Sequence, residues 1–106
     1  MIYKIGENMS ISKTNSFTHD FGWALKMLKQ GKHVARSYWV GMCVTYQKGY
    51  PDGIACNKQT AEAWNIQEGS NFKLQPYLQI RMFDGSYSMW TPSIDDCLSN
   101  DWAVVE

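Results

Sequence analysis

Charge of one sign is missing from this chain: ten basic and ten acidic residues cancel to a formal net charge of zero. Without a broad field, nothing is available to hold the backbone of a polymeric nucleic acid or an anionic membrane surface. Long apolar runs are missing as well. No stretch approaches the ~20 residues of a membrane-spanning helix, and Met1 to Ser12 has neither the basic start nor the apolar run of a secretory signal. The expected location is therefore cytoplasmic. Histidine is scarce, with His19 and His33 alone, and Cys43, Cys56 and Cys97 lie far apart with no Cys-x-x-Cys pair. That spacing supports no zinc site and leaves the cysteines as small buried thiols in a reducing compartment. The eight glycines are dispersed, so no phosphate-cradling loop of the Walker or dinucleotide-fold type is present. Neither histidine sits in a nucleophile-and-base signature, and Gly-x-Ser-x-Gly does not occur. Asp95 and Asp96 are helix neighbours projecting about 100° apart, a poor acid/base or metal pair. The expectation is a protein that is not an enzyme and has no cofactor.

What the chain has in quantity is rings: five tryptophans and six tyrosines in 106 residues. Trp and Tyr join a large apolar face to a polar tip, which suits them to interfaces and to planar ligands. The length fits one domain. Residues 1–19 read as an N-terminal extension, with an edge strand possible before Asn15, and 20–106 as a single domain.

Phe21, Ala24, Leu25 and Leu28 fall at i, i+3, i+4 and i+7, the stripe of an amphipathic helix with Thr18 or Asp20 as cap and Gly31 as stop. Trp23 and Met27 lie off that stripe, either widening the core face or forming a second surface. Val34 to Val40 alternates as a strand, placing Arg36 and Trp39 on opposite faces, and Met42 to Gln47 forms a second strand after Gly41. Lys48 to Gly53 reads as a turn. Asn57 caps a short helix through Trp64, with Ala61 and Trp64 on one face.

Asp84-Gly85 signals a type I′ turn, and the two-residue loop pairs Phe83 with Ser86, Met82 with Tyr87 and Ile80 with Met89. Leu78, Ile80, Met82, Tyr87 and Met89 then make a core face, while Gln79, Arg81, Phe83, Ser86, Ser88 and Trp90 face outward. A slip of one residue would invert the assignment. Ser93 caps a last helix through Asn100, with Asp96 completing a capping box and Ile94, Cys97 and Leu98 facing inward. Trp102 to Val105 reads as a final strand. The fold class is α+β: a small antiparallel sheet with β-hairpins, one main amphipathic helix and one or two short helices.

Trp39, Trp90, Phe21, Arg36 and Arg81, with Ser93 and Asp96 at a helix N-terminus, are types that suit a nucleotide-like ligand. Rings stack on a base, at ~1–3 kcal/mol per base, while arginine and helix-terminal amides hold phosphate and a carboxylate accepts ribose hydroxyls.

Phe21-Gly-Trp-Ala-Leu with Lys29-Gln-Gly-Lys, Val34-Ala-Arg-x-x-Trp39, Pro76-Tyr-Leu with Asp84-Gly, and Trp90-Thr-Pro-Ser-x-x-Asp96-x-Leu with Asp101-Trp102 follow one another in this order. As a set running from about Phe21 to Glu106 they resemble the second family of Thoeris anti-defence proteins. The segment Asn57 to Phe72 is similar to an insertion in longer members. The resemblance implies a phage or prophage sponge. Such a protein binds a cyclic ADP-ribose isomer made by a bacterial Toll/interleukin-receptor-domain enzyme without cleaving it, as a homotetramer with pockets between protomers. Some members also hold cyclic oligonucleotides. Carried over by position, Phe21 and Trp39 supply ring contacts, followed by Trp90, Ser93 and Asp96, while Arg36 serves either the phosphates or the oligomer. Tyr38 stands where a glycine usually precedes the tryptophan. The alternative to a sponge is a non-catalytic oligomeric protein-interaction module.

Overall fold

A computed structural model describes residues 16–105 of the chain. The edge strand considered before Asn15, and most of the 1–19 extension, lie outside the described residues. In order, the elements are α1 (Phe21–Lys29), β1 (His33–Arg36), β2 (Cys43–Gln47), β3 (Tyr50–Ala55), α2 (Lys58–Trp64), β4 (Asn71–Leu74), β5 (Tyr77–Arg81), β6 (Tyr87–Met89), α3 (Ile94–Leu98) and β7 (Trp102–Val105). The fold is α+β, with antiparallel hairpins and one principal helix. Residues 47–77 form one compact unit, and the rest of the described chain forms another.

The larger unit is built on a five-stranded sheet in the order β6-β5-β2-β1-β7. β1 sits between two neighbours: Val34 pairs with Val44 on one side, and Val34, Ala35 and Arg36 pair with Val104, Ala103 and Trp102 on the other. Its last three residues and all four of β7 are buried, which explains the apolar run at the C-terminus. α1 lays Ala24 and Leu28 into the core, capped by Asp20, whose carboxylate accepts from the Trp23 amide at 2.8 Å. Its other end closes as a Schellman turn, with Gly31 N–H donating to Leu28 and Lys32 N–H to Met27, and only Gly31 in the left-handed region at φ 87°. Trp23 and Met27 pack against the core, so they widen its face, and Trp23 stacks on His19 with centroids 3.7 Å apart.

Three expectations are corrected in this unit. β1 stops at Arg36, because the chain turns there and the Trp39 amide donates to the Arg36 carbonyl at 3.1 Å; strand alternation therefore does not place Trp39. The β5–β6 hairpin has a three-residue loop. Met82 N–H donates to Ser86 and Gly85 N–H to Met82, with Gly85 at φ 86°, the geometry of a type I turn closed by a left-handed glycine. Gln79, Ile80 and Arg81 consequently face Met89, Ser88 and Tyr87. The slip of one residue puts Tyr87 and Met89 outside and carries Trp90, whose amide donates to Leu78, to the core side. Finally, α3 ends at Leu98 and turns Asp96 inward while Ile94, Cys97 and Leu98 are exposed.

In the smaller unit the Lys48–Gly53 segment, expected to be a turn, contributes most of β3, which pairs antiparallel with β4. A register shift between Tyr50 and Ile54 accommodates Pro51, Asp52 and Gly53. α2 is capped by Asn57 as expected and buries Ala61, but Trp64 is exposed.

Candidate functional site

Two clusters in the larger unit gather the residues singled out by the sequence. The first is aromatic. Phe21, the first residue of α1, lies 6.2 Å from Trp90 by ring centroids, and Trp39 lies 6.1 Å from Trp90 in an edge-on arrangement. A fourth ring completes the group: Trp102 is 5.4 Å from Phe21, 5.3 Å from Trp39 and 6.0 Å from Trp90. The three indoles meet edge to face, at 77° to 81°, the arrangement that pairs a positive ring edge with a negative ring face. Trp102 and Trp39 are buried, whereas Phe21 and Trp90 are only half-buried.

The second cluster is ionic and centres on Arg36, which is 5 % exposed. Its Nε donates to Asp101 Oδ1 at 2.9 Å; its Nη1 donates to Asp95 Oδ2 at 2.7 Å and Asp96 Oδ1 at 3.0 Å; its Nη2 donates to Ser99 Oγ at 2.5 Å. Tyr38 closes the guanidinium, with its ring centroid 4.8 Å from Cζ and its hydroxyl accepting from Nη1 at 3.3 Å. Burial works against the charged form, but the bonds to Asp101, Asp95 and Asp96 outweigh it and raise the Arg36 pKa. Burial likewise opposes ionisation of Asp101, yet the Ser37 hydroxyl, donating at 2.6 Å, and Arg36 hold its carboxyl below the ordinary range.

Ser93 and Asp96 are where the sequence put them and do what a capping box requires. The Asp96 amide donates to Ser93 Oγ at 3.0 Å, and the Ser93 amide donates to Asp96 Oδ2 at 2.9 Å. Asp96 therefore spends one carboxylate oxygen on the cap and the other on Arg36, and it is 8 % exposed. Asp95 differs: its side chain is 78 % exposed. A side-chain bond joins the two clusters, from Trp102 Nε1 to the Asp96 carbonyl at 3.0 Å, beside the main-chain bond from the Trp39 amide to the Arg36 carbonyl.

Five of the six expected residues, Phe21, Arg36, Trp39, Trp90 and Asp96, thus meet partners within these clusters by reaching across the sequence, while Ser93 serves the local cap. Arg81 lies apart, with Nη2 3.7 Å from Cys43 Sγ. Residues that sequence reasoning left without a role are Asp101 and Trp102, which were visible as an adjacent pair near the C-terminus, and Asp95, Ser99 and Tyr38, which nothing in the sequence connects to Arg36. Among the described residues no group of His, Cys, Asp and Glu is arranged to hold a metal ion, and no helix is long and apolar enough to cross a membrane.

Chemically, the arrangement offers two partly buried aromatic residues, Phe21 and Trp90, and one outward carboxylate, Asp95, with its arginine already engaged by protein acceptors. The family model of the Thoeris anti-defense 2-like domain matches residues 19–105, a span that includes both clusters. Curated proteins give no match to the chain. The match over most of the sequence supports a Thoeris anti-defence role. The chain belongs to the Thoeris anti-defense 2-like family.

Proposed function

We propose that this protein is a phage or prophage sponge that sequesters a cyclic nucleotide-derived immune signal, a cyclic ADP-ribose isomer, in the bacterial cytoplasm without cleaving it. The observation that carries the reading is the convergence of Phe21, Trp39 and Trp90, far apart in sequence, on one ring cluster within the family-matched region. Phe21 and Trp90 retain surface for stacking on an adenine, and Asp95 retains carboxylate surface for ribose hydroxyls. Affinity without turnover then comes from stacking and desolvated polar contacts. Assembly as a homotetramer, with pockets completed between protomers, belongs to the same reading, as does binding of cyclic oligonucleotides at separate pockets.

Calorimetric titration with a panel of cyclic ADP-ribose isomers and cyclic dinucleotides tests it, followed by heat release and chromatography of the bound compound. Submicromolar binding with the ligand recovered intact is the expected result. Absence of binding across the panel, or recovery of a cleaved product, would overturn it.

A second reading, a non-catalytic oligomeric interaction module, is favoured by one observation. α3 presents Ile94 and Leu98, 80 % and 75 % exposed, away from its own core. This reading expects an oligomer that binds no nucleotide.

A further inference from the structure

Arginine beside aromatic rings invites the role of phosphate ligand. Its surroundings argue otherwise. Nε–H is taken by Asp101, Nη1 is shared by Asp95, Asp96 and Tyr38, and Nη2 is engaged by Ser99. A ring lies over its face and its side chain is 7 % exposed. Three carboxylates around one guanidinium also make the local charge negative, which repels a phosphate.

We propose that Arg36 is a positioning residue that sets the ring cluster and makes no contact with the ligand. The route is continuous and has two branches. Through its side chain, Arg36 holds Asp96, and the Asp96 carbonyl accepts from Trp102 Nε1, fixing the indole against which Phe21, Trp39 and Trp90 pack. Through its backbone, the Arg36 carbonyl accepts from the Trp39 amide and fixes the turn that delivers Trp39. Asp101 anchors the next residue, Trp102, from the other end of the fork, while Ser37 holds the second oxygen of that carboxylate. Because the fork must reach Asp101, Asp95, Asp96 and Ser99 at once, a point-charge ammonium cannot replace it. The role in ligand capture rests on the sponge reading; the coupling of Arg36 to the rings does not.

Arg36→Lys and Asp101→Asn separate the alternatives. Near-ultraviolet circular dichroism of the ligand-free proteins reads tryptophan packing, and titration with the cyclic ADP-ribose isomer panel reads capture. Positioning predicts that both variants lose tryptophan ellipticity and bind at least tenfold more weakly. A phosphate contact predicts the reverse pattern: Lys retains most of the affinity because it retains the charge, and Asp101→Asn binds as tightly as the parent or more so, since a competing anion is gone. Unchanged near-ultraviolet spectra in both variants, or undiminished binding by Asp101→Asn, would overturn the proposal. If Arg36→Lys fails to fold, Asp101→Asn decides alone. If the parent binds nothing in the panel, the sponge reading falls while the spectra still decide whether Arg36 sets the rings.

Discussion

The indole nitrogen of Trp102 donates to the main-chain carbonyl of Asp96 at 3.0 Å, and this bond ties the ring cluster to the Arg36 ion cluster. Both groups are buried, so neither can turn to water if the other is removed.

Trp102→Phe keeps a ring but removes the donor. The orphaned carbonyl costs about 1–3 kcal/mol, and the smaller ring adds a cavity contribution. Urea denaturation should show a lower midpoint with little change in slope.

Acid should act through Asp101. Its carboxyl is held below the ordinary range, so its contribution to stability is complete above the unfolded value of about 3.9 and is lost as pH falls through the lower folded value. Arg36, with its pKa raised, stays charged throughout that window. Comparing urea midpoints of the parent and Asp101→Asn from neutral pH downward should show a gap that narrows below about pH 4.

Ser93→Ala removes the hydroxyl that accepts from the Asp96 amide. Loss of this cap should cost about 1 kcal/mol, with Ser93→Gly less harmful than Ser93→Ala in the same denaturation series.

Two of the positive-φ glycines, Gly85 in the β5–β6 loop and Gly49 between β2 and β3, should respond differently to alanine. At Gly85 nothing stands near an added Cβ, so the cost is the left-handed backbone alone, about 1 kcal/mol. At Gly49 the Cβ would run into the main chain of Leu74 and Gln75 in addition to a φ of 66°, so the loss should be larger. Thermal melts of the two variants, read against the parent, check the order.

Trp39→Ala, the obvious test of a pocket, removes a ring that is 5 % exposed and should cost about 3–5 kcal/mol of stability. Trp39→Phe keeps the packing closer to native and isolates the effect on ligand affinity, measured by calorimetry. Ile94→Asp with Leu98→Lys, by contrast, alters only exposed positions. On the interaction-module reading it should leave the fold intact and lower the mass measured by light scattering relative to the parent.

The capping box of α3, the stripe and stop of α1, and the existence of the last strand were legible because each is written in neighbouring residues: Ser93 with Asp96, Asp20 with Gly31, and an apolar run at the end of the chain. Faces were not legible in the same way. Asp84-Gly85 announces a turn, but whether two or three residues span it depends on how Met82 and Ser86 pair, and that single residue moved Trp90 inward and Tyr87 outward.

The apolar residues of α3 pointed toward an inward face by their nature, yet the helix turns Asp96 inward instead, where its carboxylate meets buried Arg36, while Asp95 reaches the same guanidinium from the exposed side. By itself, then, the sequence determined local hydrogen bonding and periodicity, and its ordered motifs determined the family. The tertiary structure decided which rings meet, which oxygen atoms Arg36 consumes and which side of each element is covered. Those outcomes depend on contacts between residues some sixty positions apart, where a buried charge must find partners whatever the local pattern prefers.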